Sequence, residues 1–195
     1  MTTADWGSRP LPSSGTATPA GTMTIRPMRM RDLAQVSLVD HLSFSLPWPE
    51  SAFRYELLDN QYSFILVAEH ADAGPDAQVV GAIVVWLILD EAHIATLAVH
   101  PDHRRSGIAS QLLLAALQLA LKRGSVTATL EVRSKNNAAQ ELYRKFHFEV
   151  VGHRPRYYRD DYDDALIMTV DLYQVDEQGR TYLELIQAAA LPTGK

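Results

Sequence analysis

Residues 97–109 read LAVHPDHRRSGIA, which joins the end of an apolar strand to a short basic turn and the start of a helix. The first turn of a helix has N–H groups without internal partners, and the helix dipole makes that end positive. Gly107 lets the backbone approach an anion, and Ala109 is also small. Arg104 and Arg105 add cationic donors. This chemistry suits a phosphate-binding turn, with an ordinary turn carrying solvated arginines as the alternative.

The segments around this turn alternate between strand and helix patterns. Residues 108–123 carry an apolar stripe at helical spacing and are followed by Gly124, which suits a helix end. Residues 126–133 alternate with period two, so Glu131 faces away from its Leu and Val neighbours. Further strands are predicted at 24–28, 63–69, 79–89, 91–99, 148–152 and 165–172, and further helices at 32–42, 51–58 and 137–146. Asp32 is expected to cap the first of these helices. The order predicts an α/β (α+β) fold with a largely antiparallel first half.

The length of 195 residues fits one domain, predicted over 24–172. Residues 1–23 are rich in Ser, Thr, Pro, Gly and Ala and are expected to be disordered. The polar residues 72–76 are expected to join two strands as a hairpin loop. Residues 173–195 are predicted to be a tail that can form a helix over 182–190.

Composition excludes several classes of function. The net charge of −5 disfavours nucleic-acid binding, and the absence of cysteine excludes disulfides, thiolate zinc sites and a cysteine nucleophile. His100 and His103 have the spacing of a metal pair but lack a matching acidic cluster, so no metal is expected. No apolar run is long enough to cross a bilayer, and no secretory signal is present, so a cytoplasmic protein without membrane contact is expected.

The turn and the residues after it resemble the GNAT family of N-acetyltransferases. Arg104, Gly107 and Ala109 match the three defining positions of the family's Q/R-x-x-G-x-G/A motif. The resemblance implies a GNAT acyl-CoA N-acyltransferase fold, with a mixed, mostly antiparallel sheet flanked by helices, and acetyl-CoA as cosubstrate. It also implies that acetyl-CoA contacts the strand end and the whole turn, namely Leu97, Ala98, Val99, Arg104, Arg105, Ser106, Gly107, Ile108, Ala109 and Ser110.

A second stretch resembles the branch of the family that acetylates protein N-termini, including the ribosomal-protein alanine N-acetyltransferases. Residues 130–148 are similar to the signature L-E-V-R-x-x-N-x-x-A-x-x-L-Y-x-x-x-G-F, with His147 at the usual glycine. A histidine tolerates the positive φ of such a turn better than a branched residue does. The resemblance implies that Glu131 is the general base, that Tyr143 is the general acid, and that Asn136 and Tyr143 contact the coenzyme.

From the residue pattern alone, the first interpretation of Glu131 is a solvent-facing glutamate, and that of Tyr143 is a core tyrosine on a short helix. The chemistry explains why both groups matter. An amine must lose a proton before it attacks a thioester, and the departing thiolate gains from a proton donor.

The acceptor side rests on two further similar stretches. Residues 44–49 are similar to the family's P-W segment and contain Trp48, and residues 156–168 are similar to its closing Y-Y…D-A hairpin and contain Tyr157 and Tyr158. The four aspartates in 160–164 either attract a cationic amine or form a solvated hairpin tip.

The function predicted from these resemblances is acetylation of a protein N-terminus, in particular the N-terminal alanine of a ribosomal protein, by a monomer or weak dimer. A small amine or a lysine side chain as acceptor is an alternative. A coenzyme A-binding module without turnover is another.

Overall fold

The computed structural model describes residues 23–70 and 78–190. Seven strands form one sheet in the order β1-β2-β3-β4-β5-β7-β6, and all neighbours are antiparallel except β4 and β5, which are parallel. The strands are β1 (Met23–Pro27), β2 (Ser63–His70), β3 (Val79–Ile88), β4 (Glu91–Val99), β5 (Thr127–Arg133), β6 (Glu149–Arg154) and β7 (Ala165–Asp171). The helices are α1 (Leu33–Ser43), α2 (Glu50–Leu58), α3 (Ile108–Lys122), α4 (Asn137–Lys145) and α5 (Tyr182–Ala190). The predicted mixed, mostly antiparallel sheet with flanking helices is confirmed.

Helices cover both faces of the sheet at β3, whose residues 79–85 are apolar and all buried. Val80, Ile83 and Val85 pack in the larger core cluster with the apolar stripe of α3. Val79, Ala82 and Val84 belong to a second cluster with residues of α1 and α2. Helix α3 thus lies on one face of the sheet, and α1 and α2 lie on the other.

Gly81 lets α3 approach the sheet closely. A Cβ at this position would lie 3.1 Å from Ile108 Cγ2, from Leu112 Cδ1 and from the carbonyl oxygen of Ala98. These contacts are tighter than ordinary packing, so only glycine fits here without a shift of the helix or of β4.

Asp32 begins α1, but its side chain does not cap that helix as predicted. The carboxylate instead accepts the N–H of Arg29 at 2.7 Å and pairs with Arg26 at 2.6 Å. Because Arg26 lies on β1, the carboxylate ties the first strand to the turn that precedes α1.

The C-terminal segment contains the predicted helix, and the helix belongs to the core. Tyr182 and Ile186 of α5 are buried in the same cluster as α3. Packing removes this apolar side of α5 from solvent and joins the helix to the core of the domain.

Some predictions fall on residues outside the description. The proposed disordered segment lies there except for Met23, which begins β1, and so does the loop 72–76. Across residues 23–70 and 78–190, no helix is long and apolar enough to cross a membrane.

Candidate active site

The parallel pair β4–β5 separates partway along its length. The last residue pair between the two strands is Ile94 with Leu130. In the β3–β4 pairing the register shifts at Ala95, which forms a bulge. A bulge bends and twists its strand. The end of β4 therefore leaves β5, and a cavity of about 1010 Å³ lies beside it.

Every residue predicted to contact the cofactor lines this cavity: Leu97, Ala98, Val99, Arg104, Arg105, Ser106, Gly107, Ile108, Ala109, Ser110, Asn136 and Tyr143. Glu131, Trp48, Tyr157 and Tyr158 lie outside this lining. The predicted site residues thus divide into those that line the cavity and those that do not. Their functional roles stay predictions.

The basic turn is shaped by two left-handed residues. Arg105 has φ 66° and Gly107 has φ 84°, immediately before α3. Successive residues of alternating hand turn their N–H groups toward one side and make a concavity for anions. The guanidinium of Arg104 bends back and donates to the carbonyl of Val99 at 3.2 Å, so this side chain fastens the turn to β4.

Helix α4 supplies the opposite wall of the cavity. The side chain of Asn136 accepts the N–H of Ala139 at 3.1 Å and thereby caps the helix. Tyr143 is almost fully buried, and this burial raises the pKa of its phenol well above the ordinary value. The hydroxyl therefore keeps its proton at neutral pH.

The turn after α4 contains the residue that departs from the family signature. His147 has φ 61°, so the left-handed turn expected at the usual glycine is present and is made by histidine. Its ring meets that of Tyr182 edge-on, with centroids 6.4 Å apart.

Glu131 lies one residue beyond the last β4–β5 pair, on the sheet face of α1 and α2. Its side chain is 15% exposed, and its two oxygens have separate partners. One lies 3.3 Å from Nε2 of His93, and the other lies 3.2 Å from a guanidinium nitrogen of Arg154. The carboxylate is therefore held in a defined orientation at the edge of the split.

His93 is a site residue that the sequence analysis did not identify. Its ring stacks on Trp86, with centroids 5.3 Å apart and planes inclined by 14°. Trp86 in turn stacks on Trp48 at 6.4 Å. Trp48 thus supports His93 from behind. The signal available in the sequence was that His93 and Glu131 both occupy the outward-facing positions of neighbouring strands.

The two adjacent tyrosines, Tyr157 and Tyr158, contact each other and one arginine each. Their rings meet edge-on at 5.2 Å, and the guanidinium of Arg133 lies 3.9 Å from the Tyr158 ring centroid. Burial raises the pKa of Tyr158 to about 12, Arg133 opposes this shift, and Tyr157 and Glu131 add to it. Tyr158 is therefore a neutral hydroxyl close to the carboxylate.

The four aspartates of the acidic run 160–164 all have partners within the chain. Asp160 and Asp161 pair with Arg133 at 2.8 and 2.7 Å. Asp163 accepts the Ser134 hydroxyl at 2.7 Å, and Asp164 accepts the N–H of Arg156 at 2.8 Å. Internal partners thus use these carboxylates to build the hairpin, while the side chain of Asp161 is 48% exposed; attraction of a cationic amine by this run stays a prediction.

Asp160 also joins the two loops on the acceptor side. Its carboxylate accepts the hydroxyl of Ser45 from the α1–α2 loop, while Arg133 reaches the same hydroxyl at 3.3 Å. The Ser45 hydroxyl and the Arg133 guanidinium lower the pKa of Asp160 to about 2. This Ser45–Asp160–Arg133 bridge connects the loop of residues 44–49 to the β6–β7 hairpin.

Comparison with known proteins agrees with this geometry. Residues 31–148 match the acetyltransferase (GNAT) family. A Bacillus subtilis (strain 168) protein, provisionally named a ribosomal protein bS18-alanine N-acetyltransferase, is 35% identical over 148 residues, covering 76% of this chain and 95% of that protein. The crystal structure of the ribosomal-protein-S18-alanine N-acetyltransferase from Escherichia coli aligns with a TM-score of 0.70 at 27% identity, covering 80% of this chain and 97% of that one.

Arabidopsis thaliana NAA60 in complex with acetyl-CoA has the same fold at 17% identity, with a TM-score of 0.70, covering 78% of this chain and 100% of that chain. The family match spans more than half of the sequence and includes the split strands, the basic turn and α4. The chain belongs to the acetyltransferase (GNAT) family.

Proposed function

We propose that this chain transfers the acetyl group of acetyl-CoA to the N-terminal α-amine of a protein, by direct attack in a ternary complex. One observation carries the proposal: Glu131 lies one residue past the last β4–β5 pair, and Tyr143 lines the cavity beside the separated strands. Two relatives bear names that specify ribosomal protein S18 alanine acetylation, so an N-terminal alanine is the first acceptor to test.

The residues around the cavity fit a nucleotide thioester. Residues 97–99 offer the backbone of a strand end that β5 does not pair, which suits an extended amide chain. The turn 104–110 offers helix N–H groups and Arg105 for a diphosphate. The bound thioester supplies an activated acetyl group, and the remaining chemistry belongs to this chain's side chains.

Glu131 takes the first proton in the proposed mechanism. Its carboxylate accepts the proton of the incoming ammonium, either directly or through one water, so that the amine nitrogen can form the new C–N bond. His93 and Arg154 hold the carboxylate in place during this step. A fixed base lowers the reorganisation needed when the amine arrives.

Tyr143 serves the departing sulfur as the C–S bond breaks. Its hydroxyl is protonated throughout the neutral range, so it is available as a donor in every turnover. Burial also makes the phenol a weaker acid. In this mechanism Tyr143 therefore stabilises the leaving thiolate mainly by donating a hydrogen bond, rather than by transferring its proton completely.

Tyr157 and Tyr158 are assigned to the walls of the acceptor entrance. Both are rigid rings with hydroxyls that can donate to a peptide backbone, and Tyr158 lies close enough to Glu131 to be affected by its charge. Trp48 is assigned an indirect part, since it supports His93 through Trp86.

Glu131→Gln tests the assignment of the base. The variant keeps the size of the side chain, so we expect acetyl-CoA affinity within about twofold and turnover reduced by about a hundredfold or more. The measurement is thioester consumption across pH, with acetyl-CoA binding followed by calorimetry. An unchanged pH–rate profile would assign the base elsewhere, and His93 is then the nearest titratable side chain.

The acceptor is tested with a panel of amines. Short peptides beginning with Ala or Ser are compared with polyamines, aminoglycosides and a peptide whose only amine is a lysine side chain. We expect the Ala and Ser peptides to be acetylated fastest, and mass spectrometry of cellular N-termini after gene deletion should lose the same acetylation. Faster turnover of a small amine would replace this proposal, and acetyl-CoA binding without any turnover would make the chain a binding module.

A further inference from the structure

Helix α5 lies beyond the region that matches the family, which ends at residue 148. It nevertheless packs along α3, with Tyr182 and Ile186 fully buried. Because α5 is packed this tightly, we expect it to influence the position of the elements that it contacts. Both of its neighbours, α3 and the end of α4, belong to walls of the cavity.

The start of α5 is fastened to the end of α4. The hydroxyl of Tyr182 donates a buried hydrogen bond to the carbonyl of Phe146 at 2.9 Å. The same ring meets His147, in the left-handed turn that follows α4. Tyr143 lies three residues before Phe146, so α5 supports the helix that carries the proposed donor.

The end of α5 reaches the cavity itself. Ala190 lines it, together with one stripe of α4 formed by Ala138, Leu142 and Lys145. Positions 138, 142 and 145 lie on one face of a helix because their spacing follows the helical period. The cavity therefore has an apolar wall made by two helices, with a lysine at its edge.

We propose that α5 forms the outer wall of the acetyl-CoA site and contacts the nucleotide end of the coenzyme. The inference rests on the proposed function. With the pantetheine arm against β4 and the diphosphate at the basic turn, the phosphoadenosine is the part that remains for this wall. Ala190 and Leu142 offer apolar surface to a purine, and Lys145 offers a cation to the ribose phosphate.

The test compares two donors, because only one of them has a nucleotide. Acetyl-CoA contains the phosphoadenosine, and acetyl-pantetheine lacks it. Ala190→Glu places an anion on the wall. Gln187→Glu is the matched control, since Gln187 is exposed on the same helix and does not line the cavity.

We expect Ala190→Glu to raise the KM for acetyl-CoA about tenfold, because like charges repel across a partly exposed site. The KM for acetyl-pantetheine and the kcat at saturation should match the wild type. Gln187→Glu should change neither KM by more than about twofold, since its charge is screened by solvent.

An equal effect of Ala190→Glu on both donors, or equal effects of the two variants, would overturn the inference, because either result describes general destabilisation. Calorimetric measurement of coenzyme A binding distinguishes failure of the proposed function from failure of the proposed role of α5. If the wild type binds coenzyme A but acetylates no amine, the proposed function fails, while the affinity difference between Ala190→Glu and Gln187→Glu still decides the role of α5.

Discussion

Backbone conformation at single residues shapes the cofactor side of the site. Arg105, Gly107 and His147 all have positive φ, at 66°, 84° and 61°. This region costs a residue with a side chain roughly 1–2 kcal/mol relative to glycine. The fold therefore tolerates strain at Arg105 and His147 in order to shape the turns before α3 and after α4.

Gly107→Asp should impair cofactor binding more than chemistry. The position has space, since a Cβ there would have no atom within 4 Å, so the effect comes from the added carboxylate beside the anion-binding turn and from the positive φ. We expect the acetyl-CoA KM to rise by about tenfold or more, because about 1.4 kcal/mol of lost binding gives that factor. The kcat at saturating cofactor should stay near the wild-type value.

Gly124→Asp is the matched control for this prediction. Gly124 has φ 86° and equally open space, but it lies at the other end of α3. Both variants should lose similar stability, and only Gly107→Asp should change the KM for acetyl-CoA. Equal KM changes in steady-state kinetics would contradict an anion site at the basic turn.

Strand β4 and helix α3 both approach Gly81 of β3 closely. We expect Gly81→Ala to destabilise the protein by about 1–3 kcal/mol, the usual cost of overpacking a core. Because one crowded atom is the carbonyl oxygen of Ala98 in the cavity wall, acetyl-CoA affinity should fall as well. Urea denaturation and calorimetric titration measure the two effects.

Gly152→Ala serves as the control for that substitution. A Cβ at Gly152 would lie 3.5 Å from Ile167 Cδ1, an ordinary packing distance on β6. The free energy of unfolding should change by no more than about 1 kcal/mol, since alanine also restricts the unfolded chain. A Gly81→Ala variant as stable as Gly152→Ala would show that α3 can shift without cost.

The loops on the acceptor side are joined by the Ser45–Asp160–Arg133 bridge. Arg133→Ala removes the paired guanidinium of this bridge and the cation that lies over Tyr158. We expect the KM for an N-terminal peptide to rise by about tenfold, the cost of losing a charge-assisted hydrogen bond of about 1.5 kcal/mol. The KM for acetyl-CoA should remain near the wild-type value in the same assays.

Arg31→Ala is a suitable comparison, because Arg31 is an exposed arginine 3.8 Å from a carboxylate and lies outside the bridge. This contact is long and its guanidinium is half exposed, so we expect it to contribute little. Peptide KM values that respond alike to the two substitutions would argue against a role for the bridge in acceptor binding.

At the scale of the whole molecule, three buried phenols link stability to alkaline pH. Burial raises the pKa of Tyr143, Tyr158 and Tyr182 above the ordinary value near 10. Above about pH 10 the unfolded chain releases protons that the folded protein retains, so the free energy of unfolding falls as pH rises. Below that pH the contribution is complete.

Tyr182→Phe isolates one of these groups. At pH 8 the variant should lose about 1 kcal/mol with its hydrogen bond to Phe146. Between pH 10 and 11.5 its stability should fall less steeply than that of the wild type, by up to about 1.4 kcal/mol per pH unit. Urea denaturation at several pH values measures both; parallel curves would mean that the Tyr182 phenol does not contribute to the alkaline loss.

Local patterns in the sequence determined the elements and one wall of the site. The apolar stripe of α3, the alternation of β5 and the basic turn between β4 and α3 are all properties of adjacent residues, and all appear where predicted. The family motifs indicated which residues of these elements are predicted to contact the cofactor, because the motif residues recur at constant spacing. The prediction that the Asp32 side chain caps α1 was wrong. Helix-capping propensity cannot reveal that Arg26 and the Arg29 N–H bind the carboxylate instead.

Only the tertiary structure decided how distant segments share the site. His93 and Glu131 meet because β4 and β5 pair in parallel across thirty-odd intervening residues, and the bulge at Ala95 then opens the strands. Asp160 and Asp161 of the β6–β7 hairpin contact Arg133, and Asp160 also contacts Ser45, all of which are distant in the sequence. Helix α5 reaches the cavity because burying Tyr182 and Ile186 against the core is favourable, and the sequence pattern of a helix does not show which surface its apolar side packs against.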